Sequence, residues 1–243
     1  MSKKELSIIL PVKNEKESLP IMIKILKLSL DFSYEVIIVH DDLDDNTIPE
    51  AHKLQEQFKE MKISLIHNDY GRGIINAVKK GVESSKYDII LVTVADEIFP
   101  IVSIPKMLDL ILINDCDLVS GTRYIKGGKT LGGSIVERIL SRIANKTFRL
   151  LTGFPLTDST TGIKMFKKKI FQNIELNSKP IGWAFAFELS IKAYLADYKM
   201  CEVPYKMINR LFGGSSSFHA FSWIKEYSKW FFWGIFQIRK KKL

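Results

Sequence analysis

The sequence predicts an α/β fold in which a mostly parallel central sheet is flanked by helices. Short apolar runs alternate with segments of helical spacing through the first half of the chain, a pattern typical of βαβ units. Two of these runs lead directly into carboxylates, which places polar side chains at the ends of predicted strands. The length of 243 residues suits one large α/β domain with an added C-terminal element.

Five apolar runs are predicted to be strands: residues 6–12, 36–40, 62–67, 89–94 and 117–121. Helical spacing predicts helices over residues 15–30, 47–59, 72–84 and 103–114. After Gly121, four glycines predict a flexible loop, and a long helix follows to about Leu151. We divide the chain into a main domain, residues 1–217, and a C-terminal amphipathic aromatic helix, residues 218–243.

The net charge of +9 is concentrated in the second half of the chain. Residues 1–120 hold 14 Lys and Arg against 20 Asp and Glu, whereas residues 121–243 hold 22 against 7. This asymmetry predicts that the second half meets an anionic group such as a phosphate or a membrane surface. A basic surface that serves only solubility is the alternative. Nucleic acid ranks lowest, because no reading motif is recognisable.

Cysteine usage and hydropathy predict a cytoplasmic protein. Cys116 and Cys201 lie far apart without a metal-ligand spacing, so we expect reduced, buried thiols. Residues 6–12 are too short for a signal-peptide core, and no stretch approaches the roughly 20 apolar residues of a spanning helix. None of the four histidines forms a pair at zinc spacing.

Acidic residues follow two predicted strands. EVIIVHDD ends in Asp41 and Asp42, and DIILVTVADE ends in Asp96 and Glu97. The carboxyl ends of strands form the ligand crevice of an open α/β sheet, and acids gathered there require a cation or hydrogen-bond donors. We therefore predict a divalent cation, Mg²⁺ or Mn²⁺, that carries a phosphorylated ligand, with Asp96 as its protein ligand.

Structural explanations compete with the functional ones at several of these positions. Asn14 is placed to cap the first helix, and Asp45 or Asn46 to cap the helix that starts near Thr47. Gly71 and Gly73 form only a Gly-x-Gly, for which tight-turn packing is the better explanation. A stripe of polar residues on the long helix also fits an ordinary solvated face: Arg138, Arg142, Asn145 and Arg149.

Nine segments in one order nevertheless resemble the family 2 glycosyltransferases, which have a GT-A fold, and most closely their dolichol- or polyprenyl-phosphate mannose synthase branch. The segments are ILPVKNE, VHDDLDDNT, GRGIINAVKKG, VADE, SGTRY, ERILSRIAN, DSTTGIKMF, AFELSIKA and EVPYKMINRLFGGSS. The resemblance covers residues 6–217.

The resemblance implies roles for particular residues. The nucleotide pocket would comprise Pro11, Asn14, Glu15, Asp41, Gly73, Ala95 and Asp96. The metal would bind Asp96. The groups near the sugar, the acceptor phosphate and the diphosphate would be Arg123, Arg138, Ser141 and Arg210. The chain departs from the family pattern at His40, Val94 and Ser216, and Val94 replaces the first acid of the usual Asp-x-Asp.

The implied reaction is an inverting, metal-dependent transfer of a hexose from GDP- or UDP-hexose to a polyprenyl phosphate. Such an acceptor is already anionic, so no strong general base is required. A sugar hydroxyl acceptor would require a positioned carboxylate as general base, and Asp158 and Glu188 are the candidates. The alternatives are transfer to a saccharide or envelope precursor, and a non-catalytic nucleotide-sugar-binding protein.

The C-terminal segment bears on where the reaction takes place. Residues 218–236 hold nine aromatic residues, and Arg239, Lys240, Lys241 and Lys242 follow. An interfacial helix with terminal cations is predicted to attach the protein peripherally to the inner face of the membrane. Packing of the aromatics on the domain, or in a homodimer interface, is the alternative.

Overall fold

The computed structural model describes residues 3–208 and 220–243, and its nine strands form two sheets. The strands are β1 (Glu5–Val12), β2 (Ser33–His40), β3 (Lys62–His67), β4 (Ile89–Val92), β5 (Leu118–Thr122), β6 (Lys129–Leu131), β7 (Lys164–Lys167), β8 (Met200–Pro204) and β9 (Lys206–Ile208). Seven of them form the main sheet in the order β3-β2-β1-β4-β7-β5-β8, and β6 pairs with β9 in a small second sheet.

The main sheet is parallel except for β7, which runs antiparallel to both β4 and β5. Strands β1 to β5 confirm the five predicted strands, with ends that differ by up to three residues. The apolar runs of β1, β2 and β4 are explained by burial on both faces of the sheet, whereas β3 lies at the edge of the sheet and is only half-buried. In β1, for example, Leu6, Ile8 and Leu10 enter one core, and Ile9 enters the other.

Eight helices cover the two faces of the main sheet in the described part of the chain. They are α1 (Leu19–Ser29), α2 (Thr47–Gln57), α3 (Ile74–Ser84), α4 (Ile104–Leu112), α5 (Ile135–Thr152), α6 (Lys168–Asn173), α7 (Ala184–Leu195) and α8 (Ala220–Lys242). Helices α1, α2 and α4 supply one core, whereas α3, α6, α7 and α8 supply the other together with Phe148 of α5.

Helix α1 begins four residues later than predicted, at Leu19. Asn14 takes a left-handed backbone conformation with φ of 59° and lies before the helix, so its predicted role as N-cap is wrong. Asp45 does serve the start of α2, because its carboxylate accepts the backbone N–H of Thr47 at 2.8 Å. The late start of α1 leaves residues 13–18 as a loop at the carboxyl end of β1.

Helix α8 packs against α5 and α7. Trp230 and Ile238 of α8 are buried, whereas Phe232 and Phe236 are exposed, so the core-packing alternative holds for one side of the helix. The terminal cations are also partly engaged. Arg239 donates to the carbonyl of Leu151, and Lys241 donates to the carbonyl of Leu195 at 2.9 Å. Cations are favourable at the C-terminal ends of helices, here α5 and α7.

Cys116 and Cys201 form a disulfide, so the expectation of reduced thiols is wrong. The two residues are 85 positions apart in sequence. Cys116 precedes β5, and Cys201 lies on the neighbouring parallel strand β8, which brings their Cα atoms within 6.1 Å. Sequence spacing carries no information about such a pairing, because the fold alone creates the proximity.

Candidate active site

The carboxyl ends of β1, β2 and β3 meet through a set of hydrogen bonds centred on Asp41. The Asp41 carboxylate accepts the Asn68 side-chain amide and the backbone N–H of Gly73, each at 2.8 Å. Gly73 has φ of 124°, and a Cβ there would lie 2.4 Å from Pro180, so this position requires glycine. Asp41 thus anchors the loop of residues 68–73, and its carboxylate keeps further acceptor capacity for a ligand.

The loop after β1 is held at the same edge of the sheet. Asp45 accepts the N–H of Asn14 at 3.0 Å, and Thr47 Oγ1 accepts the N–H of Glu15 at 2.8 Å. Pro11 lies within β1, in register with Val39 of β2. The structure therefore brings together the predicted nucleotide-pocket residues of the first two strands. Arg72, between the two glycines of the Gly-x-Gly, pairs with Asp42 at 2.6 Å.

Ala95 and Asp96 form a turn two residues beyond the end of β4, and Glu97 follows. Glu97 Oε2 is buried and has no hydrogen-bond partner among residues 3–208 and 220–243. Burial, and then the neighbouring charge of Asp96, raise the pKa of Glu97 from 4.5 to about 8, whereas Arg123 opposes the rise. The ends of β4 and β5 therefore share one electrostatic environment, in which acids lie close to a guanidinium.

This turn fits a divalent cation only in part. Within residues 3–208 and 220–243, no three His, Cys, Asp or Glu side chains are grouped to hold a metal. A hard cation such as Mg²⁺ binds one or two protein carboxylates and takes its other ligands from phosphate oxygens and water. Asp96 would supply that carboxylate, and the unpartnered Glu97 oxygen beside it is consistent with a cation at this turn.

Arg123, which follows β5, is fixed by a buried carboxylate. Its Nε and Nη2 donate to the two carboxylate oxygens of Asp158 at 2.6 and 2.9 Å. Burial is the largest single influence and would lower the pKa of Arg123, but the charge and hydrogen bond of Asp158, with smaller effects of Tyr205 and Tyr124, together raise it. The guanidinium is therefore a permanent cation in a defined orientation, with Nη2 3.4 Å from Ser141 Oγ.

A second basic side chain, Lys164, is buried close to Asp158. Its Nζ donates to Ser120 Oγ at 3.0 Å, on the neighbouring strand β5. Burial lowers its pKa from 10.5 to about 7, although the charges of Asp158 and Glu202 oppose the shift. Glu202 in turn accepts the N–H and the hydroxyl of Thr157 at 2.8 and 2.6 Å.

Helix α5 places Ser141, one of the predicted acceptor residues, beside Arg123. The four residues of the predicted polar stripe on this helix do not share one environment. Asn145 is buried and accepts the N–H of Ser159 at 2.8 Å. Arg138 is half-buried and donates to the Thr130 carbonyl at 3.3 Å, whereas Arg142 and Arg149 are exposed. The solvated-face explanation therefore holds for Arg142 and Arg149 only.

The two predicted general-base candidates both have structural partners. Asp158 is paired with Arg123, as described above. Glu188 is fully buried, accepts the backbone N–H groups of Asn177 and Ser178 at 2.7 Å, and pairs with Lys192 at 2.7 Å. Both carboxylates are therefore engaged in contacts within the protein. Arg210 and Ser216 lie outside the described residues.

Asn68 and Tyr124 escaped the sequence prediction, and Glu97 was noted among the acids after β4 but was given no role of its own. Asn68 holds Asp41 and also donates to the Gly71 carbonyl at 2.8 Å. The Tyr124 hydroxyl lies 2.8 Å from Ser141 Oγ. Glu97 directly follows Asp96 in the segment VADE, and Tyr124 directly follows Arg123 in SGTRY. Their adjacency to predicted site residues could therefore have indicated that they belong to the site. Asn68 had no such signal.

An apolar surface adjoins the site on α5 and α8. Exposed apolar side chains cover one side of α5 and reach Phe232 and Phe236 of α8. The members on α5 are Ile135, Val136, Ile139, Leu140, Ile143 and Leu150. A groove of about 370 Å³ runs between the helices, with Leu140 and Ile143 on one wall and Phe231 and Phe232 on the other. None of the helices described in residues 3–208 and 220–243 is both long and apolar enough to cross a bilayer.

Comparison with known proteins identifies the family. The profile of glycosyl transferase family 2 matches residues 7–175, which is more than half of the chain. The chain belongs to this family. It is a glycosyltransferase with a GT-A fold, so the predicted fold class and enzyme class are confirmed and the non-catalytic alternative is set aside.

Sequence relatives include a dolichol-phosphate mannosyltransferase of Pyrococcus furiosus, 29% identical over 83% of this chain and 56% of its own length. The chain thus spans little more than half of that relative. An undecaprenyl-phosphate mannosyltransferase of Micrococcus luteus is 25% identical over 85% of each chain. A dolichyl-phosphate hexose transferase of Haloferax volcanii is 28% identical over 82% of this chain and 81% of its own length.

Solved structures share the fold at lower sequence identity. Glucosyl-3-phosphoglycerate synthase from Mycobacterium tuberculosis, crystallised with Mg²⁺ and UDP, superposes with a TM-score of 0.69 and 15% identity. The superposition covers 96% of this chain and 79% of the synthase. The same enzyme with Mn²⁺, UDP-glucose and phosphoglyceric acid gives a TM-score of 0.70. These similarities support the fold assignment.

Proposed function

We propose that this glycosyltransferase moves a hexose from GDP- or UDP-hexose to a polyprenyl phosphate, with inversion, at the inner surface of the cytoplasmic membrane. The observation that carries the proposal is the position of Arg123, Arg138 and Ser141 beside the exposed apolar side of α5. Phosphate-binding groups next to an apolar surface suit an acceptor that is anionic at one end and hydrocarbon at the other. The relatives that are named for transfer to dolichol or undecaprenyl phosphate support the same acceptor class.

The donor would occupy the crevice at the carboxyl ends of β1, β2 and β4. Asp41 and the loop residues Asn14 and Glu15 would contact the nucleoside, because the hydrogen bonds described above hold them at this edge. Asp96 would hold Mg²⁺ or Mn²⁺ against the diphosphate. When bound, such a cation neutralises charge on the diphosphate leaving group.

The acceptor oxygen would attack the anomeric carbon directly in a single displacement. A phosphate monoester oxygen is anionic near neutral pH, so the reaction requires no group to remove a proton. This agrees with the engagement of Asp158 and Glu188 in internal contacts. Arg123 and Arg138 would orient the acceptor phosphate, since forked guanidinium donors match phosphate oxygens.

The apolar surface of α5 and α8 would seat the enzyme on the membrane. Exposed cations flank it at Arg142 and Arg149, and anionic lipid attracts each such residue by about 1 kcal/mol. The binding surface would thus differ in part from the predicted one, in which the aromatic residues and the four terminal cations of α8 made the contact. Two of those cations instead hold α8 to the domain.

The test is transfer from labelled GDP- and UDP-hexoses to polyprenyl phosphate, with and without Mn²⁺. Label that becomes extractable into organic solvent only when both the acceptor and Mn²⁺ are present supports the proposal. A water-soluble glycoside as the sole product would refute it and favour a saccharide or envelope-precursor acceptor. A stereochemical analysis of the product separates inversion from retention.

A further inference from the structure

Tyr124 connects the end of β5 to the predicted acceptor residue of α5. Its hydroxyl donates to Ser141 Oγ at 2.8 Å, and Arg123 Nη2 lies 3.4 Å from the same oxygen. Tyr124 itself follows Arg123 directly in the chain. Two donors from the loop after β5 thus converge on one serine hydroxyl.

The number of donors decides which way the Ser141 proton points. A serine hydroxyl has one proton to donate and two lone pairs that accept. Tyr124 and Arg123 donate hydrogen bonds to the two lone pairs, so the Ser141 proton points away from both residues. The described contacts of Ser141 Oγ are these two alone among residues 3–208 and 220–243. A hydroxyl in this state is a donor prepared for an acceptor outside the protein.

The Tyr124 ring is held in place by two cations. The guanidinium carbons of Arg123 and Arg142 lie 5.1 and 5.9 Å from its centroid, within the range of cation–π contacts. Burial raises the pKa of the Tyr124 phenol, although Arg123 opposes the rise. The phenol therefore keeps its proton at neutral pH and remains a donor to Ser141.

We propose that Tyr124 is a positioning residue that keeps the Ser141 hydroxyl proton directed at an anionic oxygen of the acceptor. The identity of that acceptor as a prenyl phosphate rests on the proposed function. Tyr124 acts only through Ser141 and does not touch the acceptor itself. Its loss would leave the Ser141 lone pair open, and the serine hydroxyl could rotate to donate within the protein.

The test is a double-mutant cycle of Tyr124→Phe and Ser141→Ala, with a short-chain prenyl phosphate as the probe. Binding is measured by calorimetry, and transfer is measured as acceptor KM and kcat. Each single variant should bind the probe about tenfold more weakly, the effect of one lost hydrogen bond. The double variant should bind no more weakly than Ser141→Ala, because Tyr124 acts through Ser141. Acceptor KM should rise with little change in kcat.

Several outcomes overturn the inference. The first is that Tyr124→Phe binds the probe as tightly as the wild type does. The second is that the double variant binds the probe about 100-fold more weakly than the wild type, as expected if the two residues contribute independently. The third is that the wild type does not bind the probe. Binding of the probe without transfer of any hexose would refute the proposed function and leave this inference standing. The control is Tyr198→Phe, whose hydroxyl accepts from Asn173 at 3.2 Å at the surface and should leave both measurements unchanged.

Discussion

Arg123 and Asp158 form a two-point ion pair in which the carboxylate is fully buried, with nitrogen to oxygen distances of 2.6 and 2.9 Å. The pair links the loop after β5 to the segment before β7. The pair fixes the orientation of the guanidinium and leaves its Nη2 atom 3.4 Å from Ser141 Oγ. The buried acid therefore supports and orients the cation.

Asp158→Ala should leave the Arg123 charge buried and unpaired. Breaking a buried ion pair on one side costs about 3–5 kcal/mol, so the thermal midpoint should fall by roughly 6–20 °C if the variant folds. Asp158→Asn keeps one acceptor oxygen and should lose less. The control is Asp115→Asn, which removes an exposed partner of Lys167. Equal losses in Asp158→Ala and Asp115→Asn would show that burial of the Arg123 pair is unimportant.

Lys164 gives the stability of the protein a defined pH dependence. Its folded-state pKa of about 7 lies below the ordinary 10.5, so between these values the unfolded chain binds a proton that the folded chain lacks. The free energy of unfolding therefore gains a contribution that rises from pH 7 to 10.5, on the order of a few kcal/mol in total. Below pH 7 Lys164 is protonated in both the folded and the unfolded protein. Stability there no longer changes with pH through this residue and includes the full cost of burying its charge.

Lys164→Met removes that dependence. The variant should exceed the wild type in thermal midpoint by the largest margin near pH 6–7, and the margin should shrink toward pH 10. Thermal unfolding at a series of pH values measures the difference directly. A margin that stays constant from pH 6 to pH 10 would mean that Lys164 titrates in the folded protein as it does in water.

The exposed apolar side of α5 predicts where the protein meets a membrane. Ile139→Glu places a charge in the centre of this surface and should reduce binding to anionic liposomes severalfold, with little effect on folding because Ile139 is exposed. Leu28→Glu is the matched control, since Leu28 is an exposed apolar residue of α1, which packs in the other core. Flotation with liposomes compares the two. Equal flotation of Ile139→Glu and the wild type would exclude α5 from the contact.

Glu226 ties α8 to the segment before α7. Its carboxylate accepts the backbone N–H of Lys179 at 3.1 Å and the Trp230 indole N–H at 3.0 Å, and it is almost fully buried. Glu226→Ala leaves both donors unpaired, at a cost of roughly 1–3 kcal/mol each. Chemical denaturation should show the loss, whereas the exposed neighbour Lys225→Ala should not. A stability of Glu226→Ala close to that of Lys225→Ala would show that α8 is not a structural part of the fold.

Sequence reasoning predicted the elements whose residues carry a strong local pattern. Strands β1 to β4 are continuous apolar runs, and α5 shows apolar residues at three- and four-residue steps, so their positions followed from spacing alone. Strand β7 was missed because KMFK is four residues long with a lysine at each end. Its place between β4 and β5 depends on pairing partners that are more than 40 residues away.

The same limit applies to the site. The acids after β2 and β4 were visible as sequence features, and the structure places both at the carboxyl edge of the sheet. Periodicity predicted the apolar side of α5 but not that it is uncovered, because the pattern is the same for a helix that faces the core or an external surface. The Cys116–Cys201 bond and the contacts of Arg239 and Lys241 arise only from the packing of distant segments.

The most direct test of the account is the binding of GDP and UDP to the wild type and to Asp96→Asn, measured by calorimetry with and without Mn²⁺. The wild type should bind one of the nucleotides much more tightly with Mn²⁺, and Asp96→Asn should lose that gain. Asp44→Asn, which changes an exposed acid at the same edge of the sheet, should behave as the wild type does. If Asp96→Asn keeps the full Mn²⁺ dependence of the wild type, Asp96 does not hold the cation and the proposed site is wrong.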